Sequence, residues 1–195
     1  MRSVTVRVWV MCLLVGSVAC IPAESVTRTP EVLTPASRTA VAAATGKASG
    51  RTLQRLILLQ PLCAKCREVY HELDRAGFFQ GWMAESMFIG VLGEDQGEWN
   101  NLGVEMFACA PASDRVTTLR ELMGTVRWML SGRAGEGAAC NRDAVDEMER
   151  QASSALEALG LTPADLPVVV IDSLLFARGT SPDDLASLLS VQVSQ

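Results

Sequence analysis

The chain has 195 residues, with 22 acidic against 17 basic side chains and a formal net charge of −5, which suits one domain plus a leader. An acidic surface gives no footprint for nucleic acid, so that class of partner is set aside. Six cysteines, by contrast, point to redox or lipid chemistry according to how they pair.

Arg2 and Arg7 form a basic n-region, Val8 to Val18 is an apolar stretch too short to span a bilayer, and Ser17-Val18-Ala19 closes it with small residues. Residues 1–19 therefore read as a signal peptide, and the protein is expected in the bacterial periplasm, where disulfides persist. Cys12 lies inside the leader. Cys20 follows Ala19 directly, which resembles the place where a bacterial lipoprotein carries its acylated cysteine; Val18, Ala19 and Cys20 fit that pattern, while Ser17 stands where an aliphatic residue is usual. With Cys20 lipidated, four cysteines remain and form two pairs, which favours a membrane-anchored lipoprotein. Ordinary cleavage after Ala19 leaves an odd fifth cysteine, and cleavage after Ala23 removes Cys20 altogether. Loss of Arg2 and Arg7 with the leader moves the formal charge from −5 to −7.

Residues 20–50 read as a flexible tether: Pro22, Pro30 and Pro35, several Ser and Thr, then Ala40 to Gly50 with almost no large apolar side chain. The segment is too poor in apolar residues for a dimer interface, so a monomeric domain on a leash is expected. That domain, 51–195, opens with a mostly apolar run from Leu53 to Leu62, a strand that delivers Cys63-Ala64-Lys65-Cys66 to the start of a helix. Unpaired N–H groups and the dipole at a helix N-terminus stabilise a thiolate, so Cys63 is expected as the nucleophile. Cys66, Val69, Tyr70 and Leu73 recur at helical spacing, with Arg67, Glu68, His71, Glu72 and Arg75 on the opposite side. Cys66 is thus expected behind Cys63, placed to resolve a mixed disulfide. Lys65, one of only two lysines, adds a positive charge between them, either tuning the thiolate or simply occupying an exposed helix start.

Beyond this helix, Ser86 to Leu92 reads as a second buried strand. Asn100 to Arg133 carries helical spacing in Leu102, Met106 and Phe107 and again in Val116, Leu119, Leu122, Met123 and Val126. A third helical stretch, Asp143 to Leu159, ends at Gly160. Val168 to Asp172 and Leu174 to Ala177 make a hairpin, and Ser181-Pro182-Asp183-Asp184 starts a last helix before Leu185, Leu188 and Leu189. The order is strand, helix, strand, helical block, strand, strand, helix. The expected class is α/β, a thioredoxin-like fold with a helical insertion between the second and third core strands.

From Leu53 to Leu189 the chain resembles the catalytic domain of the DsbC/DsbG periplasmic disulfide isomerases, including the smaller plasmid-transfer protein TrbB. The resemblance rests on Cys63 and Cys66, on Met106-Phe107-Ala108-Cys109-Ala110 followed by Ala139-Cys140-Asn141-Arg142-Asp143, and on the run from Leu166-Pro167 through Val168-Val169-Val170-Ile171-Asp172 to Arg178-Gly179-Thr180-Ser181-Pro182. It implies a disulfide reductase or isomerase, a structural disulfide between Cys109 and Cys140, and a cis-proline at Pro167, with the backbone of Leu166 offered to an extended substrate segment. Leu166 stands where the family commonly has threonine or valine. Ile57, six residues before Cys63, is apolar as in DsbC-like domains, whereas thioredoxin and DsbA-like proteins have a buried carboxylate there. The partners so implied are disulfide-containing envelope proteins and a DsbD-type membrane reductant. No cofactor or metal is expected.

Two duller readings compete. Cys63 and Cys66 could be half of a zinc site completed by Cys109 and Cys140 or by His71, although His71 falls on the polar face of its helix and no second CxxC is present. The chain could also be a non-catalytic lipoprotein that binds a partner, with both disulfides structural.

Overall fold

The computed structural model describes residues 31–46, 55–79, 87–93, 98–124, 141–177 and Leu185. At its centre is β2, Arg55–Leu59, a run of apolar residues buried from Leu56 onward. β2 pairs in parallel with β3, Met87–Val91, and antiparallel with β4, Val168–Ile171. The parallel pair needs a crossover, which α2, Ala64–Arg75, supplies. β4 continues through a two-residue turn into β5, Leu174–Phe176. Asp172 in that turn takes a left-handed backbone, φ 56°, so the strand expected to run through Asp172 stops at Ile171. Every residue of β3 and β4 is buried, so both faces of the central sheet are covered.

Between β3 and β4 lies the helical insertion: α3, Glu98–Cys109, α4, Arg115–Gly124, and α5, Arg142–Ala158. The single stretch expected from Asn100 is broken over Ala110–Asp114. There the Ala110 N–H closes a turn on Phe107, and a second turn, Pro111 to Asp114, restarts the helix. Residues 125–133 of that expectation lie outside the described residues. Asn141 caps α5 by accepting from the Asp143 N–H at 3.0 Å, and Gly160, φ 68°, ends it as the sequence predicts. α5 lies on β3 at Gly90, where an added Cβ would stand 2.9 Å from the Ala152 Cβ. Leu185, in the expected last helix, is buried against the core.

The N-terminal segment corrects one expectation. Residues 31–46 belong to the domain and are not a leash: β1, Glu31–Val32, pairs with β5, and α1, Pro35–Ala44, rests on α5. The sheet order is therefore β1-β5-β4-β2-β3. A count of large apolar residues misses this segment because its attachment needs few of them. β1 is held by backbone hydrogen bonds, continued by the Leu33 N–H to the Ser173 carbonyl at 2.7 Å. Leu33 and Val41 are buried, and Ala42 and Ala44 lie close against the core. Thr34 caps α1, accepting from the Ser37 N–H at 3.1 Å, with Pro35 in the first turn. The remainder of the expected tether, 20–30 and 47–50, and the leader 1–19 lie outside the described residues.

Candidate functional site

β2 ends at Leu59, and four residues later Cys63 is the N-cap of α2, with extended backbone at φ −70° and ψ 115°. Its Sγ takes the place of a capping oxygen: it accepts from the Cys66 N–H at 3.1 Å. Cys63 is partly exposed and Cys66 is buried, on the same inward face as Val69, Tyr70 and Leu73. Periodicity predicts this face. The sulfur thus stands at the positive end of a three-turn helix. Such an arrangement sets one partly exposed sulfur ahead of a second, buried one.

Lys65 sits in the first turn with its Nζ 2.9 Å from the Glu68 carboxylate. Its positive charge is therefore opposed by a carboxylate three residues on. Helical periodicity places Glu68 on the polar face without pairing it to Lys65; the i, i+3 spacing is the signal that finds the pair. His71, the single histidine, is exposed on that same face, its ring 5.4 Å from that of Tyr70.

Leu166 and Pro167 reach the site through the sheet. β4 runs antiparallel to β2 with Leu58 opposite Val168. That pair closes the ladder at the end of β2 that leads to Cys63, and Leu166 and Pro167 come just ahead of Val168 at the same end of the sheet. The Leu166–Pro167 peptide bond is cis, and both side chains are buried. Ahead of them is a short turn that sequence reasoning missed. A 3-10 helix, Pro163–Asp165, is closed by a capping box in which Asp165 Oδ2 accepts from the Thr162 N–H at 3.0 Å and from its hydroxyl at 2.9 Å. The Leu166 N–H donates to the Pro163 carbonyl at 3.3 Å. The legible signal is a threonine followed three residues on by an acid, with proline in the first helical position.

One turn beyond Cys66 on the same face of α2, Tyr70 is buried with its ring 5.4 Å from Phe79. Burial, helped by the Asp74 carboxylate, pushes its hydroxyl pKa above the ordinary 10.0, against the opposing pull of Arg120. Arg120 of α4 meets Asp74 of α2 at 3.0 Å, which ties the cysteine-bearing helix to the insertion.

Cys109, the last residue of α3, is disulfide-bonded, which removes it from any zinc set. Cys140 and Cys20 lie outside the described residues. Among the described residues no three His, Cys, Asp or Glu side chains form a metal-binding group, and no helix is long and apolar enough to cross a membrane.

No protein-family model and no curated protein matches the sequence. Solved structures do share the fold. The catalytic domain of Proteus mirabilis ScsC is similar at a TM-score of 0.57 and 14% identity, over 81% of this chain and 99% of that one. A linker-deletion mutant of Proteus mirabilis ScsC is similar at 0.56 and 16%, over 82% and 83%. A periplasmic thioredoxin-like protein from Salmonella enterica serovar Typhimurium follows at 0.53 and 14%, over 72% and 84%. The fold is thus thioredoxin-like, with the helical insertion expected from sequence. The similarity runs to these proteins and does not single out the DsbC/DsbG type.

Proposed function

We propose that the chain is a thiol-disulfide oxidoreductase of the bacterial envelope. The observation that carries this reading is the Cys63 sulfur at the α2 N-cap, accepting the Cys66 N–H at 3.1 Å, with Cys66 buried behind it. The Cys63 thiolate attacks one sulfur of a substrate disulfide; that S–S bond breaks, its other sulfur leaves as a thiolate, and a mixed disulfide forms. Cys66, giving up its proton, then attacks Cys63 and expels the second substrate sulfur. Two electrons have passed to the substrate, and the protein holds a Cys63–Cys66 disulfide. A membrane reductant of the DsbD type is the proposed source of the electrons that reset it. When the substrate's own expelled thiolate returns to a different sulfur, the same first step serves isomerisation without net transfer.

Reduction or isomerisation is favoured over primary oxidation by Ile57, fully buried in β2, where a proton-moving carboxylate would otherwise stand. Cys109 to Cys140 is the proposed bracing bridge of the insertion, and Cys20 the proposed acyl anchor, so that the domain works at the periplasmic face of a membrane.

Trapping tests the reading. A Cys66→Ala variant cannot resolve, so mixed disulfides with envelope proteins should accumulate on Cys63 and vanish on reduction and in a Cys63→Ala control. A Cys66→Ala protein that captures nothing would instead make the chain a binding module that uses the fold without the chemistry.

A further inference from the structure

We propose that the turn closed by Thr162 and Asp165 withholds the Leu166 N–H from substrate, so that an extended segment docks beside the cysteines through the Leu166 carbonyl alone. This rests on the oxidoreductase reading above and concerns which disulfides that site prefers. A peptide laid along a strand edge gains affinity from alternating N–H and C=O partners. Just ahead of β4, Pro167 has no N–H to give. Leu166 is the next residue able to donate, and its N–H is already directed at the Pro163 carbonyl, 3.3 Å away. That geometry is kept by the capping box: Asp165 Oδ2 holds both the N–H and the hydroxyl of Thr162, and the Asp165 N–H returns to the Thr162 carbonyl at 2.9 Å. Leu166 lies two residues ahead of Val168, which pairs with Leu58 at the end of the strand that leads to Cys63. The withheld donor therefore lies at the end of the sheet that carries the nucleophile.

The consequence is weak docking of backbone and little preference for a polypeptide disulfide over a small one. Asp165 is then a positioning residue that acts through the turn and touches neither sulfur nor substrate.

The test uses Asp165→Ala, which opens the box, and Asp165→Asn, which removes the charge but keeps an acceptor for Thr162. In Asp165→Ala the Leu166 amide should exchange with solvent faster, and KM for a peptide disulfide should fall about two- to tenfold, the worth of one net hydrogen bond. Its kcat, and its rate with a small symmetrical disulfide, should stay as in the parent. Asp165→Asn should behave as the parent in all three. If Asp165→Ala speeds Leu166 exchange yet leaves the peptide KM unchanged or raises it, the turn withholds nothing and the inference is overturned. It is equally overturned if Leu166 exchange does not respond. A parent protein that turns over neither disulfide refutes the oxidoreductase reading itself, and this inference with it.

Discussion

Val41→Ala separates a docked arm from a leash by the sign of its effect. Val41 is only 2% exposed, the buried residue of α1, a helix that packs on α5. Truncation removes two buried carbons, which at about 0.8 kcal/mol each costs about 1.6 kcal/mol before any cavity is counted. Alanine is also the better helix former, an opposing gain of at most about 0.7 kcal/mol. Burial wins, leaving a loss of about 1 kcal/mol or more, which for a domain of this size lowers Tm by about 2–4 °C per kcal/mol. On a solvated leash only the helix gain would remain, and the variant would be silent or slightly more stable. Val32→Ala is the control, since Val32 is 67% exposed and its loss should stay within about 0.5 kcal/mol. Thermal melting of the two variants, with amide exchange followed along residues 35–44, makes the measurement. An unchanged or raised Tm for Val41→Ala, with α1 amides exchanging as freely as in a short peptide, would refute the docking argument.

Tyr70 is the only tyrosine in the chain, so phenolate absorbance reads it alone. It should titrate above 10.0, and Arg120→Ala should raise it further by removing the opposing cation. Because the folded pKa is the higher one, the stability linked to Tyr70 is intact below pH 10 and is lost as pH climbs from there through the folded value. A midpoint at or below that of free tyrosine would contradict the burial argument. Gly90→Ala sets a methyl 2.7 Å from Leu58 Cδ2 and 2.9 Å from Ala152 Cβ. Such overpacking should cost about 1–3 kcal/mol in denaturant unfolding, with partial recovery in the Gly90→Ala, Ala152→Gly double variant. Equal stability of Gly90→Ala and parent would show that α5 does not press on β3.

Elements built on periodic apolar side chains were legible in the sequence. The inward face of α2 and the strand runs of β2, β3 and β4 are buried where spacing puts them, because each is held by the side chains that make the pattern. Elements held by the backbone were not. β1 needs only a neighbouring strand edge, and α1 is largely alanine, so neither raises the local hydropathy that marks a packed segment. The break between α3 and α4 depends on a turn at Pro111–Asp114, which a continuous run of helix-spaced residues conceals. At the site, the cysteines announce themselves by type and spacing. The Lys65–Glu68 pair and the Leu166 N–H depend on where a side chain or an amide points, and composition carries no record of direction.

Strand polarity gives the docked arm an orientation as well as a place. β2 runs toward Cys63, β4 away from it, β5 toward it and β1 away again, each antiparallel to the last. The chain therefore enters β1 from the end of the sheet that carries the cysteines and leaves toward the hairpin at Ser173. With Cys20 as the proposed anchor, the span from lipid to Glu31 is about eleven residues and at most about 40 Å, against about 105 Å for a thirty-residue leash. An attachment that short, made at that end, would hold the cysteine-bearing end of the sheet within about 40 Å of its anchor.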